Sequence, residues 1–312
     1  KQTNSKTIKT SIGGQAVIEG VMMRGPKLTA LSVRMPDQSI STETWDTPNS
    51  NKWYKKTPFI RGVFNFVESL TDGYKSLMKA AEKAGLDDEE EEPSKFEQKL
   101  RQLLGDKFMP FLQGCILLFS LAMALFFFAF LPTTLVGFFK DYINHPLALS
   151  ALEGLTKIAI LILYLALISN MSDIKRVFMY HGAEHKTIFC YEHGEELTVE
   201  NVRKYTRFHP RCGTSFLVIV LLLSILVSSM VSWDNLWMRV GLKVLCLPII
   251  MSLSYECIKF AGRHDNLFTR ILSAPGLWTQ RLTTREPDDS MIEVAIASMK
   301  KVIPENPDEA LF

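Results

Sequence analysis

Lysine, arginine, aspartate and glutamate are absent from four segments of this chain, although they make up 22% of its 312 residues. The charge-free segments are residues 108–139, 158–172, 212–233 and 244–255. A helix on the surface of a soluble protein needs a polar face, and these segments have none. Because a helix needs about 20 apolar residues to cross the core of a bilayer, the pattern indicates a membrane protein rather than a single soluble core.

The charge-free segments predict four transmembrane helices. The segments 108–139 and 212–233 are each long enough to span by themselves. The second predicted span, 147–169, has Lys157 near one end, where its aliphatic stem can reach the interface. The fourth, 236–260, has charged residues towards both ends, so an interfacial helix is the alternative to a span.

Basic residues in the loops predict the orientation. Residues 170–212 contain seven Lys and Arg residues, whereas the loops 140–146 and 233–236 contain one and none. The positive-inside rule therefore places both termini and the long central loop in the cytoplasm. The first 14 residues are polar and lack the apolar core of a secretory signal peptide, so internal spans are expected to insert the chain.

Charge and cysteine content exclude two classes of protein. The formal net charge of +2 provides no overall field for nucleic acid, so nucleic acid is not an expected partner. The five cysteines include no C-x-x-C pair and do not form a disulfide framework. The expected partner is the lipid bilayer, with a membrane-protein complex or a second copy of the chain as further candidates.

The polar segments have patterns of their own. Residues 11–45 are interrupted by glycine and proline, and the β-prone runs 16–23 and 28–35 predict a small antiparallel sheet. Apolar residues recur every three or four positions over 58–84, which predicts an amphipathic helix that packs on the sheet, lies on the bilayer or covers another subunit. Six consecutive carboxylates at 87–92 predict a solvated linker. A last helix is expected to start at Pro287 and to stop at Pro304.

The predicted fold is an α-helical polytopic membrane protein with four transmembrane helices and a small β-rich (α+β) cytosolic amino-terminal domain. In chain order its parts are a β-rich cytosolic domain (1–57), an amphipathic helix (58–86), an acidic linker and pre-membrane segment (87–107), a first transmembrane pair (108–169), a cytosolic loop with His, Glu and Cys motifs (170–211), a second transmembrane pair (212–260) and a cytosolic carboxy-terminal segment (261–312).

The central loop contains the residues best suited to chemistry. His181, Glu184 and His185 match H-x-x-E-H, which on a helix places all three on one face. His209 and Cys212 form a second pair just before the third predicted span. If all four His and Cys residues bind zinc, the tetrahedral site is closed and structural; if three bind and Glu184 acts as base, it is catalytic. The alternative without a metal is a polar network at the membrane surface.

Four sequence blocks resemble one known family. They are the runs Gly13–Pro26 (GGQAVIEGVMMRGP), His181–Lys186 (HGAEHK), His209–Phe216 (HPRCGTSF) and Pro275–Pro287 (PGLWTQRLTTREP). Together and in this order they resemble the YqhQ-like family of bacterial membrane proteins of unknown function. The resemblance implies a location in the bacterial inner membrane and a metal-dependent enzyme without an established substrate.

Two functions are therefore expected as alternatives. The first is a multi-pass inner-membrane protein with a cytosol-facing zinc site, in which His181, His185, His209 and Cys212 are ligands and Glu184 serves hydrolysis. The second is a non-enzymatic scaffold that docks on membrane machinery for protein insertion, translocation or quality control, with any metal purely structural.

Overall fold

The computed structural model describes residues 8–48, 52–86, 95–264 and 266–311. The predicted acidic run at 87–92 lies outside these ranges. The chain forms two compact units. Unit 1 comprises Lys1–Leu86, Ile162–Val220 and Pro248–Phe312, and unit 2 comprises Asp87–Leu161 and Leu221–Leu247.

Helices account for most of the described chain. They are α1 (Trp53–Lys56), α2 (Ile60–Lys83), α3 (Lys95–Leu104), α4 (Phe108–Leu125), α5 (Leu131–Gly137), α6 (Pro146–Ile168), α7 (Ser172–Glu192), α8 (Val199–Arg203), α9 (Gly213–Ser229), α10 (Leu236–Arg263), α11 (Leu267–Thr283) and α12 (Asp289–Val302). A π-helical segment, Phe126–Phe130, joins α4 to α5.

The amino-terminal region of unit 1 forms the predicted antiparallel sheet. Its strands are β1 (Gly13–Val17), β2 (Gly20–Arg24), β3 (Leu28–Arg34) and β4 (Ile40–Asp46), paired in the order of the chain. The β-prone run 16–23 covers the end of β1 and most of β2, because a tight turn separates the two strands. Glu19 adopts a φ of 48° in that turn, a conformation that hydrophobic patterning does not reveal.

The two faces of the sheet bury different partners. Val21, Met23 and Ala30 belong to one core, to which α7 and α12 also contribute. Met22 and Leu31, which point to the other face because side chains alternate along a strand, pack with Ala80 of α2. The sheet thus has α7 and α12 on one face and α2 on the other.

The last helix forms where it is predicted. Asp288 is its N-cap, because its side chain accepts a hydrogen bond from the N–H of Met291 at 3.0 Å. The helix begins at Asp289, two residues after the predicted start, and ends at Val302, before Pro304. Its apolar face is fully buried against the sheet and α7.

The amphipathic helix α2 packs on the sheet through its polar and small residues. Arg24 donates to Glu68 at 2.6 Å, Ser76 donates to the sulfur of Met22 at 3.0 Å, and Gly73 lies against Gln15. Of the three predicted alternatives for its apolar face, packing on the sheet is not what the structure shows, because these apolar residues are exposed: Ile60, Phe64, Val67, Leu70, Tyr74, Leu77 and Met78. The helix therefore turns its apolar face outwards.

Three helical stretches are long and apolar enough to cross a membrane: Phe111–Gly137, Pro146–Ile168 and Leu236–Arg263. Helix α9, Gly213–Ser229, is apolar but has only 17 residues. The charge-free segment 212–233 is longer than this helix because its last residues leave the helix and turn at Met230–Trp233. The described residues thus contain three helices of spanning length and one shorter apolar helix, while the four-span topology remains a prediction.

Candidate metal centre

Helix α7 positions three of the predicted site residues. His181, Glu184 and His185 lie within one turn on one face of α7, where Glu184 and His185 are buried and His181 is half-buried. The ring centroids of the two histidines are 4.4 Å apart. The segment predicted as a loop is therefore helical here, which is the condition under which the H-x-x-E-H spacing places the three residues on one face.

Cys212 completes a group of three ligand-type side chains. It lies directly before α9, and its sulfur is 3.1 Å from Nε2 of His181. One ligand atom from each of His181, His185 and Cys212 lies within 4.8 Å of the other two. Thr214 also contacts the sulfur, through its backbone N–H at 3.4 Å and its hydroxyl at 3.2 Å.

Backbone carbonyls orient both imidazole rings. Nδ1 of His181 donates to the carbonyl oxygen of Thr283 at 2.8 Å, and Nδ1 of His185 donates to that of Arg207 at 2.6 Å. A proton held on Nδ1 leaves a lone pair on Nε2, which is the form of imidazole that binds metals. Nε2 of His185 is buried and has no hydrogen-bond partner among the described residues, so its lone pair remains available.

Glu184 places a carboxylate beside these groups. The residue is 4% exposed, and its Oε2 has no partner within the described chain. Burial raises the pKa of the carboxyl group, although the nearby His185 and His181 oppose this effect. The N–H of Gly14 donates to the carboxylate, and a Cβ on Gly14 would lie 2.9 Å from the Glu184 side chain.

The thiol and the imidazole that contact each other shift each other's pKa. Burial opposes ionisation of Cys212, but His181 and His185 outweigh it and hold the pKa of the thiol well below its ordinary value. Burial likewise opposes protonation of His181, yet the adjacent Cys212 raises its pKa to about 9. The thiolate is the form of cysteine that binds metals, so Cys212 is held in its ligand form, whereas His181 releases its Nε2 proton when a metal binds.

The fourth predicted ligand, His209, does not belong to this group. Its ring centroid is 5.5 Å from that of His185, and its Nε2 lies 3.8 Å from the carboxylate of Glu192. Gln280 fixes its backbone by accepting from the His209 N–H at 2.7 Å and donating to the His209 carbonyl at 2.8 Å. Burial lowers the pKa of His209 to about 4, although Glu192 opposes the shift.

Several residues that shape the site were not found from the sequence. Thr283 and Arg207 act through backbone carbonyls, which every residue type possesses, so the sequence contains no signal for them. Gln280 resembles any other polar helix residue. Gly14 gave a weak signal as one member of a glycine pair, and the close approach of Glu184 is the reason that a glycine stands there.

Comparison with known proteins agrees with the predicted resemblance. Residues 57–305 match the family described as "Protein of unknown function (DUF1385)". The chain is 36% identical over 299 residues to the uncharacterized protein YqhQ of Bacillus subtilis (strain 168), an alignment that covers 95% of this chain and 93% of that protein. No solved structure matches the chain significantly. The chain therefore belongs to the YqhQ-like (DUF1385) family of proteins of unknown function.

Proposed function

We propose that this chain is a multi-pass protein of the bacterial inner membrane in which His181, His185 and Cys212 hold a zinc ion and Glu184 serves hydrolysis. The observation that supports the metal site best is that three ligand atoms converge within 4.8 Å. Two of the three belong to imidazoles whose Nδ1 atoms are already fixed by carbonyl oxygens. Such outer contacts are typical of protein metal sites.

The donor set favours zinc over harder cations. Two imidazoles and one thiolate suit zinc, whereas calcium and magnesium prefer oxygen ligands. Three protein ligands leave a fourth coordination position, and a zinc ion there would supply Lewis-acid activation of water or substrate. In this proposal Glu184 accepts and returns the proton, and burial raises its pKa, the direction that favours a carboxyl group as a proton carrier.

The membrane assignment is supported by the apolar helices and by α2. Gly62 of α2 packs closely on Ser252 of α10, and the ring centroids of Phe66 and Phe216 are 5.5 Å apart. Through Gly62 and Phe66, α2 lies beside apolar helices, while its apolar face stays exposed. An aqueous location would leave that face in water, whereas the edge of a bilayer accommodates it.

The second candidate function is a non-enzymatic scaffold with a structural metal, and the burial of the site favours it. Glu184, His185 and Cys212 are each at most 7% exposed. In this alternative the sheet, α2 and the carboxy-terminal helices form a platform for a membrane-protein complex or a second copy of the chain. The closed site would then fasten α7 to the start of α9.

Metal analysis of the purified full-length protein tests the site. We expect about one zinc per chain in the wild type and a large loss in His185→Ala. His145→Ala is the matched control, because His145 is exposed and lies outside the group. A wild type without a transition metal, or a His185→Ala variant with full occupancy, contradicts the proposal.

Cobalt substitution separates the catalytic site from the structural one. Cobalt bound by a thiolate absorbs visible light, and a small anion such as azide changes the spectrum only where a coordination position is open. In the Glu184→Gln variant, the hydrolytic site predicts full metal occupancy. It also predicts that azide still shifts the spectrum of that variant. A spectrum that does not respond to azide supports the structural alternative.

A further inference from the structure

The helices of unit 2 contain four buried charged residues in otherwise apolar surroundings. Glu153 and Lys157 lie one turn apart on α6, and Arg239 and Lys243 lie one turn apart on α10. Each of the four is at most 6% exposed. From the sequence we expect the Lys157 side chain to reach the membrane interface. In the structure it is buried instead, and so are the other two basic side chains.

A single carboxylate contacts all three cations. Glu153 lies 3.1 Å from Nζ of Lys157 and 2.8 Å from Nη2 of Arg239, and it is also paired with Lys243. Within the described chain, no other carboxylate pairs with these cations. With all four groups ionised, the cluster has a formal charge of +2.

The other partners of the lysines accept hydrogen bonds but do not neutralise the positive charge. Lys243 donates to the hydroxyl of Thr133 at 2.7 Å, and Lys157 donates to that of Ser228 at 3.2 Å. Neutral hydroxyls do not compensate a positive charge in an apolar interior, where an unpaired charge costs several kcal/mol. Ionisable residues at such positions are generally retained for function.

The two lysines have donors to spare, whereas the arginine does not. An ammonium group has three N–H donors, and Lys157 and Lys243 each have two partners in the described chain, which leaves one donor on each. Arg239 uses its donors on Glu153, on the hydroxyl of Ser150 and on the carbonyls of residues 231 and 232. A ligand would therefore bind to the lysines while Arg239 holds Glu153 in place.

A cleft of about 240 Å³ reaches the cluster at Arg239, the one cluster residue among those that line it. Arg239 forms part of its wall, and its guanidinium lies 3.8 Å from the ring centroid of Trp233, which also lines the cleft. Lys140 and Asp234 line it too and have opposite charges. These two charges cancel, so the cluster and the cleft together still have a formal charge of +2.

We propose that this cluster binds one phosphate group that enters through the cleft and uses the spare N–H donors of Lys157 and Lys243. A phosphate monoester has a charge of about −1.5 to −2 at neutral pH, which matches the formal excess of two. Inorganic phosphate and the headgroup of a phosphatidic-acid lipid share this chemistry.

The experiment uses the full chain in nanodiscs and measures its thermal stability and its binding of radiolabelled phosphate or phosphatidic acid. One arm adds inorganic phosphate to nanodiscs of phosphatidylcholine, with sodium chloride at equal ionic strength as the screening control. The other arm compares nanodiscs with and without phosphatidic acid. Stabilisation in the first arm identifies a soluble ligand, and stabilisation in the second arm alone identifies a lipid.

Lys243→Met is expected to weaken the stabilising ligand about tenfold or more, because it removes one charge-assisted hydrogen bond. Lys175→Met, at an exposed position, is the matched control and should bind like the wild type. Lys157→Met is a second variant in case the first does not fold. The proposal is overturned if the wild type binds no phosphate in either arm, or if both cluster variants bind as it does.

Discussion

Gly14 shows how much of the candidate site depends on single residues. Its Cα lies so close to its neighbours that an added Cβ would be 2.8 Å from the carbonyl oxygen of Met22 and 2.9 Å from Glu184. Neither the paired strand nor the buried carboxylate can move away freely. The neighbouring Gly13 has nothing within 4 Å of the same position, although the two residues are identical in sequence.

We therefore expect Gly14→Ala to lower the free energy of unfolding by about 1–3 kcal/mol, as overpacking does, and to lower metal occupancy. Gly13→Ala is the matched control and should change stability by no more than about 0.5 kcal/mol. Thermal unfolding and metal content of both variants check this. Equal effects of the two substitutions would show that β1 does not press on Glu184.

His209 leads to a prediction about acid stability. Its pKa is about 4 in the folded protein and about 6.5 in the unfolded chain, so the unfolded chain binds more protons between these values. Stability should therefore fall as the pH drops below 6.5, by about 2 kcal/mol between pH 6.5 and 5. Glu192, whose pKa is lowered from 4.5, contributes at lower pH.

His209→Asn should flatten this part of the pH profile, because asparagine does not titrate. The measurement is thermal or denaturant unfolding of the wild type and the variant across pH 5–7 in the same buffer and detergent. Parallel profiles of the two proteins over this range would contradict the pKa assigned to His209.

At the scale of elements, α2 is the helix whose environment differs most from that of an ordinary amphipathic helix. Such a helix buries its apolar face in the protein core, but α2 meets the sheet through Arg24–Glu68 and through Gly73 and exposes residues such as Leu70. The exposed face is compatible with an apolar medium. Its position beside α10 favours lipid as that medium.

A fluorescent amino acid sensitive to its environment can test this at two positions of α2. At Leu70 we expect blue-shifted emission in nanodiscs and quenching by spin-labelled lipid. At Lys75, which is also exposed but lies off the apolar face, we expect quenching by aqueous iodide instead. Iodide quenching at both positions would place α2 in water and remove this support for the membrane assignment.

At the scale of the whole molecule, the topology follows from the loop charges and can be tested by labelling. Cys190 is fully buried and cannot report on accessibility, so new cysteines are needed at exposed positions in a Cys115→Ser background. Tyr142→Cys should react with a membrane-impermeant maleimide in intact cells. Glu196→Cys should react only after permeabilisation. The reverse pattern would invert the orientation.

Regular periodicity predicted the elements whose formation depends on local sequence. Helix α12 follows from its cap and its terminal charges, and α2 follows from its three- and four-residue spacing. The prediction did not locate the tight turn at Glu19 between β1 and β2, and it overestimated the length of the third apolar helix, because lack of charge does not imply helix. The helix 236–260, whose charges left it ambiguous, is the longest apolar helix described.

By itself, the sequence determined the apolar segments, the family and the helix-compatible spacing of His181, Glu184 and His185, since each depends on neighbouring residues. Only the tertiary structure decided that Cys212 joins the two histidines while His209 does not. It alone placed Glu153 among three cations. These contacts join residues far apart in the chain and depend on backbone carbonyls and close approach, which residue type does not encode.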